Sequence, residues 1–230
     1  MSTNNADQLA LLDLDGAPRR IALFGATRGV GRSFLDLALA AGHHVTALVR
    51  DPARLDLSHP RLTLVTGDVT DPASTRAAIE GADTVVCALG APARDGSRIR
   101  ERGTVQIVAA MQHAGVRRLL CVSVLGARET RGGLPALYRW IVFPLFLRRA
   151  VADHERQEEV IEASGLDYTI VRPPNLTDGP VTADIAAGFG ADMRGISMKI
   201  SRADVAGFML QRAERGDYMR RTVAVSYRAA

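Results

Sequence analysis

Several residue types are scarce in this 230-residue chain, and each scarcity removes a class of function. Cysteine occurs only at Cys87 and Cys121, each inside an apolar run that reads as a core strand. Two thiols are too few for a disulfide framework, and small buried hydrophobes suit a reducing, cytoplasmic setting. Aromatic residues make up 5% of the chain, with one tryptophan, Trp140. Without a helix-turn-helix, zinc-finger or aromatic stacking pattern, nucleic-acid binding has no support, and no metal site is expected. Lysine is as scarce as tryptophan: Lys199 stands alone among 29 basic residues, so arginine carries the net charge of +4, which reads as anion affinity. No apolar run is long enough to cross a bilayer; the most apolar stretch, Leu137 to Leu147, is short and broken by Pro144. Residues 1–18 lack the basic start and long apolar centre of a signal peptide. They read as a flexible extension ahead of one domain over residues 19–230, with no repeat and no internal linker.

What is present is organised around one stretch. Ile21-Ala22-Leu23-Phe24 reads as a buried strand and runs directly into Gly25-Ala26-Thr27-Arg28-Gly29-Val30-Gly31. Phe34, Leu35, Leu37, Ala38 and Ala41 then recur at helical spacing until Gly42. Strand, glycine turn and helix open a dinucleotide-binding βαβ unit. Gly25 permits the sharp turn, and Gly29 and Gly31 remove side chains where pyrophosphate and packed helix come close. The helix N-terminus offers unpaired N–H groups to phosphate. A tight turn in any α/β protein is the bland alternative, which the flanking strand and helix disfavour. A second β-rich run, Val45 to Val49, ends at Arg50. An acid there would bond a ribose 2′-hydroxyl and favour NAD; Arg50 offers a charged fork suited to a 2′-phosphate, with Arg28 and Arg54 able to join it. The expectation is NADPH in preference to NADH.

Further strands follow at Leu62–Val65, Asp83–Ala88, Arg117–Ser123, Tyr168–Arg172 and Thr222–Ser226, alternating with helices. The pattern predicts an α/β fold: a doubly wound (Rossmann) parallel sheet with helices on both faces, in a single domain with a small C-terminal substrate-side region at residues 176–198. Asp68 either meets the adenine amine or is an ordinary turn residue. Asp51-Pro52, Asp71-Pro72 and Ser201 to Asp204 read as helix caps. Leu89-Gly90 ends the fourth strand with little bulk, so a cofactor can lie against backbone there. Arg94 to Arg102 reads as a solvated loop, with the next helix starting at Val105. Ser123 ends the fifth strand, where it either faces nicotinamide and substrate or bonds locally. Asp153-His154 either points into the cleft or opens a solvated helix. The segment 137–147 is either a core helix or a substrate lid or subunit contact, which makes Tyr138 and Trp140 candidate substrate contacts.

With these residues in place, the chain resembles the short-chain dehydrogenase/reductase superfamily. Its main branch uses a tyrosine followed four residues later by a lysine. Tyr138, Tyr168 and Tyr218 are followed at that spacing by Val142, Arg172 and Thr222, and the chain ends before the position is reached for Tyr227. The dyad is absent. The similar stretches, among them Val49-Arg50-Asp51, Gly67-Asp68-Val69, Asp153-His154 and Pro173-Pro174, are those of the atypical, NmrA-like branch and, within it, the biliverdin-IXβ reductase/flavin reductase group. The resemblance implies that Gly25, Thr27, Gly29, Gly31, Arg50, Arg54, Asp68, Leu89 and Gly90 hold NADPH; Val30, Val69 and Pro173 are expected alongside, as is Arg28, which departs from the glycine usual in the flavin reductase group. It implies Ser123 as the catalytic residue, and Asn175 stands where the group has a histidine near its substrate. The expected activity is NADPH-dependent hydride transfer to a flavin-like or other conjugated small molecule, by a monomer or homodimer. A non-catalytic NADP-sensing regulator is the alternative, and a sugar-nucleotide epimerase or dehydratase a more distant one.

Overall fold

The computed structural model describes residues 5–14, 16–92, 95–190 and 192–229. At its centre, β1 (Arg20–Phe24) is flanked by β2 (His44–Val49) and β4 (Thr84–Cys87), both parallel to it. β3 (Leu62–Thr66) pairs outside β2; β5 (Arg118–Val122), β6 (Asp167–Arg172) and β10 (Arg221–Ser226) continue in parallel beyond β4. A two-residue antiparallel edge, β8 (Ala186–Ala187), closes the order β3-β2-β1-β4-β5-β6-β10-β8. The order reverses between β1 and β4, and that is where open α/β sheets bind ligands, beyond the carboxyl ends of the strands. The expected doubly wound Rossmann sheet is therefore the observed one.

Alternation along β1 explains why both faces are covered. Ile21 and Leu23 pack with Phe34 and Leu35 of α2 (Gly29–Ala40) and with Phe208 and Met209 of α6 (Arg202–Arg215). Ala22 and Phe24 pack the other way, with Ile79 of α3 (Pro72–Ile79), Ile107 and Met111 of α4 (Ile99–Ala114) and Ile161 of α5 (Arg148–Ala163). A strand buried on both sides must be apolar throughout, as this one is. Cys87 and Cys121 are register partners on β4 and β5, and both are fully buried.

Two segments differ from the expectation. The loose start is anchored where it is described: α1 (Asn5–Ala10) lies against α2, and Leu12 is buried against Gly207 of α6. Arg215 pairs with Asp13, and the Val181 N–H donates to Gln8 Oε1 at 3.4 Å. Leu12 is buried and Leu9 and Leu14 pack onto the same core, while Leu11 stays exposed. The second difference is the loop expected over Arg94–Arg102: Arg94 lies outside the described residues, but α4 already begins at Ile99.

Beyond β6 the chain builds a small separate sheet of two strands. β7 (Asn175–Thr177) pairs with β9 (Lys199–Ser201). The helical segment Tyr138–Leu147, wound in wide π-type turns around Pro144, runs straight into α5. Leu125, Leu134, Phe143 and Val151 form a satellite core there, with Tyr138, Leu147, Phe189, Met193 and Met198 packed onto it.

Candidate active site

The turn from β1 into α2 is pressed against the end of β4. A Cβ on Gly25, whose φ is +95°, would lie 2.3 Å from the Ala88 carbonyl oxygen, and one on Gly31 would lie 2.2 Å from that of Gly25. Only glycine fits at either position, since the obstructing atoms are backbone. The turn delivers an α2 N-terminus without a side-chain cap: Arg28 occupies the N-cap and makes no capping hydrogen bond. Two other helix starts are closed by a side chain next to them. Asp71 accepts from the Ala73 and Ser74 N–H groups at the start of α3. Ser201 accepts from Asp204 N–H at the start of α6.

The start of α4 is closed from a distance. Asp153 of α5 accepts from the backbone N–H groups of Arg100 at 3.2 Å and Glu101 at 3.1 Å, and from the Arg100 guanidinium at 3.3 Å. Arg100 also donates to the Ala91 carbonyl at 3.3 Å, which ties down the chain beyond β4. Asp153 thus neither points into a cleft nor opens a solvated helix; it is a buried cap. His154 beside it is buried as well, and burial first, Arg100 second, lower its pKa to about 3. Gln157 donates to Thr104 Oγ1 at 2.9 Å and to Cys87 Sγ at 3.5 Å, filling the space between α5, α4 and β4.

The arginines expected around a cofactor stand at the carboxyl end of the sheet. Arg50 directly follows β2 and Arg54 lies in the 3₁₀ turn Pro52–Leu55, which Asp51 caps; Arg28, Arg50 and Arg54 are all exposed. Asp68 accepts from the Thr70 hydroxyl at 2.6 Å and the Thr70 N–H at 2.8 Å. Those bonds, aided by the nearby charges of Arg50 and Arg102, lower its pKa. One carboxylate oxygen therefore makes a local turn. Val69 is buried and Leu89 half-buried, and both side chains crowd Gly103 of α4, where a Cβ would come within 2.8 Å of Leu89 and 2.9 Å of Val69. Gly90 is exposed, whereas Thr27 is half-buried and Val30 buried.

Beyond β6 the structure separates the remaining candidates. Asn175 Nδ2 donates to Tyr138 Oη at 2.7 Å, which joins the segment 138–147 to the start of β7 and leaves the phenolic hydrogen for another acceptor. Pro173 is buried, its carbonyl accepting from Leu125 N–H at 2.8 Å. Trp140 does not join them: it is 68% exposed, under the Arg139 guanidinium. A groove of about 320 Å³ lined by Gly133, Pro135, Met193, Ile196 and Met198 lies in this lobe. A larger groove of about 470 Å³, lined by Arg20, Asp83, Arg117 and Asp167, sits at the opposite, amino end of the strands, away from the switch point.

Ser123 lies in a buried network. It ends β5 as expected, but its hydroxyl donates at 2.6 Å to Glu158 Oε1, and Ser123 and Glu158 are both buried. Arg172 at the end of β6 grips the same carboxylate with Nε at 2.8 Å and Nη2 at 2.7 Å, and its third nitrogen binds Glu129. Burial alone would lower the Arg172 pKa; the bonds and charge of Glu158 outweigh it and raise it. The Ser123 proton is thus directed at a buried carboxylate, so of the two expected readings the hydrogen-bonded one describes this arrangement. Sequence reading missed Glu158 and Arg172, although an arginine inside the apolar run Tyr168–Pro173 was a signal: a buried cation needs a buried partner.

Residues 25–215 match the profile of the NAD(P)H-binding family. An uncharacterized chloroplastic protein of Arabidopsis thaliana is 31% identical over 176 residues, which cover 73% of this chain and 62% of that protein. The reductase pytE of Aspergillus terreus is 28% identical over 86% of this chain and 89% of its own length. YhfK of Bacillus subtilis, an uncharacterized sugar epimerase, is also 28% identical, over 81% of this chain and 84% of its own. Among solved structures, the oxidoreductase ylbE from Lactococcus lactis has a TM-score of 0.77 at 19% identity, covering 92% of each chain. ChuY, an anaerobillin reductase from Escherichia coli O157:H7, has a TM-score of 0.75 at 24% identity, covering 90% of this chain and 96% of its own. A short-chain dehydrogenase/reductase from Veillonella parvula in complex with NADP has a TM-score of 0.73 at 23% identity, covering 91% and 95%. At these identities the solved structures bear on the fold.

Proposed function

The chain belongs to the NAD(P)H-binding family, and from that premise we propose that it is an NADPH-dependent reductase of a flavin-like or other conjugated small molecule. The observation that carries this reading is the α2 N-terminus: a glycine cradle that any Cβ would fill, opening on uncapped N–H groups, with Arg50 where an acid would favour NAD. The Gly25–Gly31 turn holds the pyrophosphate, Arg50 with Arg28 and Arg54 holds the 2′-phosphate, and Leu89 and Gly90 flank the nicotinamide half. NADPH supplies the hydride when bound. The chain's part is to align the acceptor and exclude competing geometry, which for a conjugated acceptor suffices. The Tyr138 hydroxyl, held by Asn175, donates a hydrogen bond to the acceptor, and water supplies the compensating proton.

An epimerase or dehydratase reading has less support, because no tyrosine is followed at four residues by lysine and Lys199 is exposed on β9. A sensor reading draws on one observation: the Ser123 hydroxyl is committed to Glu158, so no proton donor ends β5. NADPH oxidation with FMN as acceptor, followed by absorbance with NADH as control, separates the two. Saturable turnover preferring NADPH, with a KM for FMN raised about fivefold in Asn175→Ala by loss of one hydrogen bond, supports the reductase. NADPH binding without oxidation by FMN or other conjugated acceptors contradicts it and favours the sensor.

A further inference from the structure

Five large apolar side chains stand in solvent along one face of the segment that precedes α5. Leu137 is 59% exposed, Trp140 68%, Ile141 48%, Leu145 71% and Phe146 52%. Phe143 turns the opposite way into the satellite core, so the segment is apolar on both faces and only one is covered. An exposed patch of this kind marks a contact surface. No described helix is long and apolar enough to cross a membrane, and Pro144 sits in the middle of the segment.

The border of the patch names its occupant. Between Gly132 and Ala152 the chain carries Arg139, Arg148 and Arg149 and no acid, three positive charges in a protein whose net charge is +4. Arg139 stacks over Trp140 with 4.9 Å to the ring centroid, an arrangement that keeps an aromatic body and a cation side by side at one surface. We propose that this face docks on the surface of an anionic lipid bilayer. The five apolar side chains enter the boundary between headgroups and acyl chains, and Arg139 and Arg148 meet lipid phosphates. A second copy is the poorer occupant. A two-fold contact sets the patch against itself, which brings the same arginines together with no acid in the segment to offset them. The Tyr138–Asn175 bond joins the patch to the start of β7, three residues beyond β6, so docking brings the carboxyl end of the sheet towards the bilayer. The proposal stands whether or not the protein turns over NADPH.

Trp140, the only tryptophan, is its own reporter. The full chain is titrated with phosphatidylcholine vesicles with and without phosphatidylglycerol, reading Trp140 emission and flotation, with sedimentation run in parallel. The expected result is a blue-shifted emission and co-flotation with the anionic vesicles, weakened by salt. Leu145→Asp/Phe146→Asp, which changes only exposed positions and keeps wild-type NADPH binding, lowers the bound fraction by about tenfold. Arg148→Gln reduces the preference for anionic over neutral vesicles. Unchanged Trp140 emission with anionic vesicles overturns the proposal. So does a dimer that Leu145→Asp/Phe146→Asp splits while vesicles go unbound, which assigns the face to a second copy.

Discussion

Helices α2 and α4 both begin at the carboxyl end of the sheet, and they are finished in opposite ways. The start of α4 is sealed by Asp153, a carboxylate from another helix, with Arg100 as its counter-ion. The start of α2 has no side-chain cap and is reached through a turn in which two glycines leave no room for Cβ atoms. Unpaired N–H groups at a helix start are unfavourable unless something accepts from them. Where the protein needs rigidity it brings in a buried carboxylate; where the reading puts cofactor phosphate, the chain supplies none. The difference separates a helix start closed by the protein's own carboxylate from one left open.

The largest effect is expected from unsealing α4. Asp153→Ala leaves the Arg100 guanidinium and two N–H groups without their acceptor in the interior and costs about 4 kcal/mol in a urea melt. A loss below about 1 kcal/mol would mean that α4 does not depend on this cap. Next comes closing α2. Gly31→Ala sets a methyl group against the Gly25 carbonyl and costs about 3 kcal/mol, with NADPH binding lost along with the turn. Calorimetry on the folded fraction checks it, and unaltered affinity would remove the turn from the site.

A smaller effect sharpens the buried side through pH. His154 is held neutral down to about pH 3 against an ordinary 6.5, by burial and then by Arg100. Between those values the unfolded chain binds a proton that the folded chain refuses. Stability therefore rises with pH across that window and falls as acid is added below about pH 6.5, at up to about 1.4 kcal/mol per pH unit. His43, lowered by burial despite Glu214, acts in the same direction. Among the described residues, His154 Nδ1 has no hydrogen-bond partner, so His154→Leu removes an unsatisfied polar atom. Urea midpoints measured from pH 7 to pH 4 are expected to fall less steeply in the variant; equal slopes would show that His154 titrates normally.

Local signals carried most of the fold. The apolar runs of β1, β2 and β4, the glycine turn, and the Asp71-Pro72 and Ser201 caps each act within a few residues, and each stands in the structure where its pattern indicated. What could not be read acts across distance. Asp153 caps a helix more than fifty residues earlier in the chain, so Arg98 to Arg102 looked like a solvated loop. Ser123 looked available because its partner, Glu158, sits on a helix that is polar in most positions. The described start of the chain looked loose because Leu12 finds its pocket only once Gly207 is in place. The segment 137–147 stayed ambiguous for another reason: an apolar sequence on both faces does not say which face is covered.

The central claim is that the open start of α2, with Arg50 beyond β2, holds a 2′-phosphorylated dinucleotide. Calorimetric titration of wild type and Arg50→Ala with NADPH and with NADH tests it most directly. The account predicts tighter binding of NADPH by wild type and a loss of about 2 kcal/mol, near thirtyfold, for NADPH alone in the variant. Equal losses for both dinucleotides, or no loss for either, would contradict it.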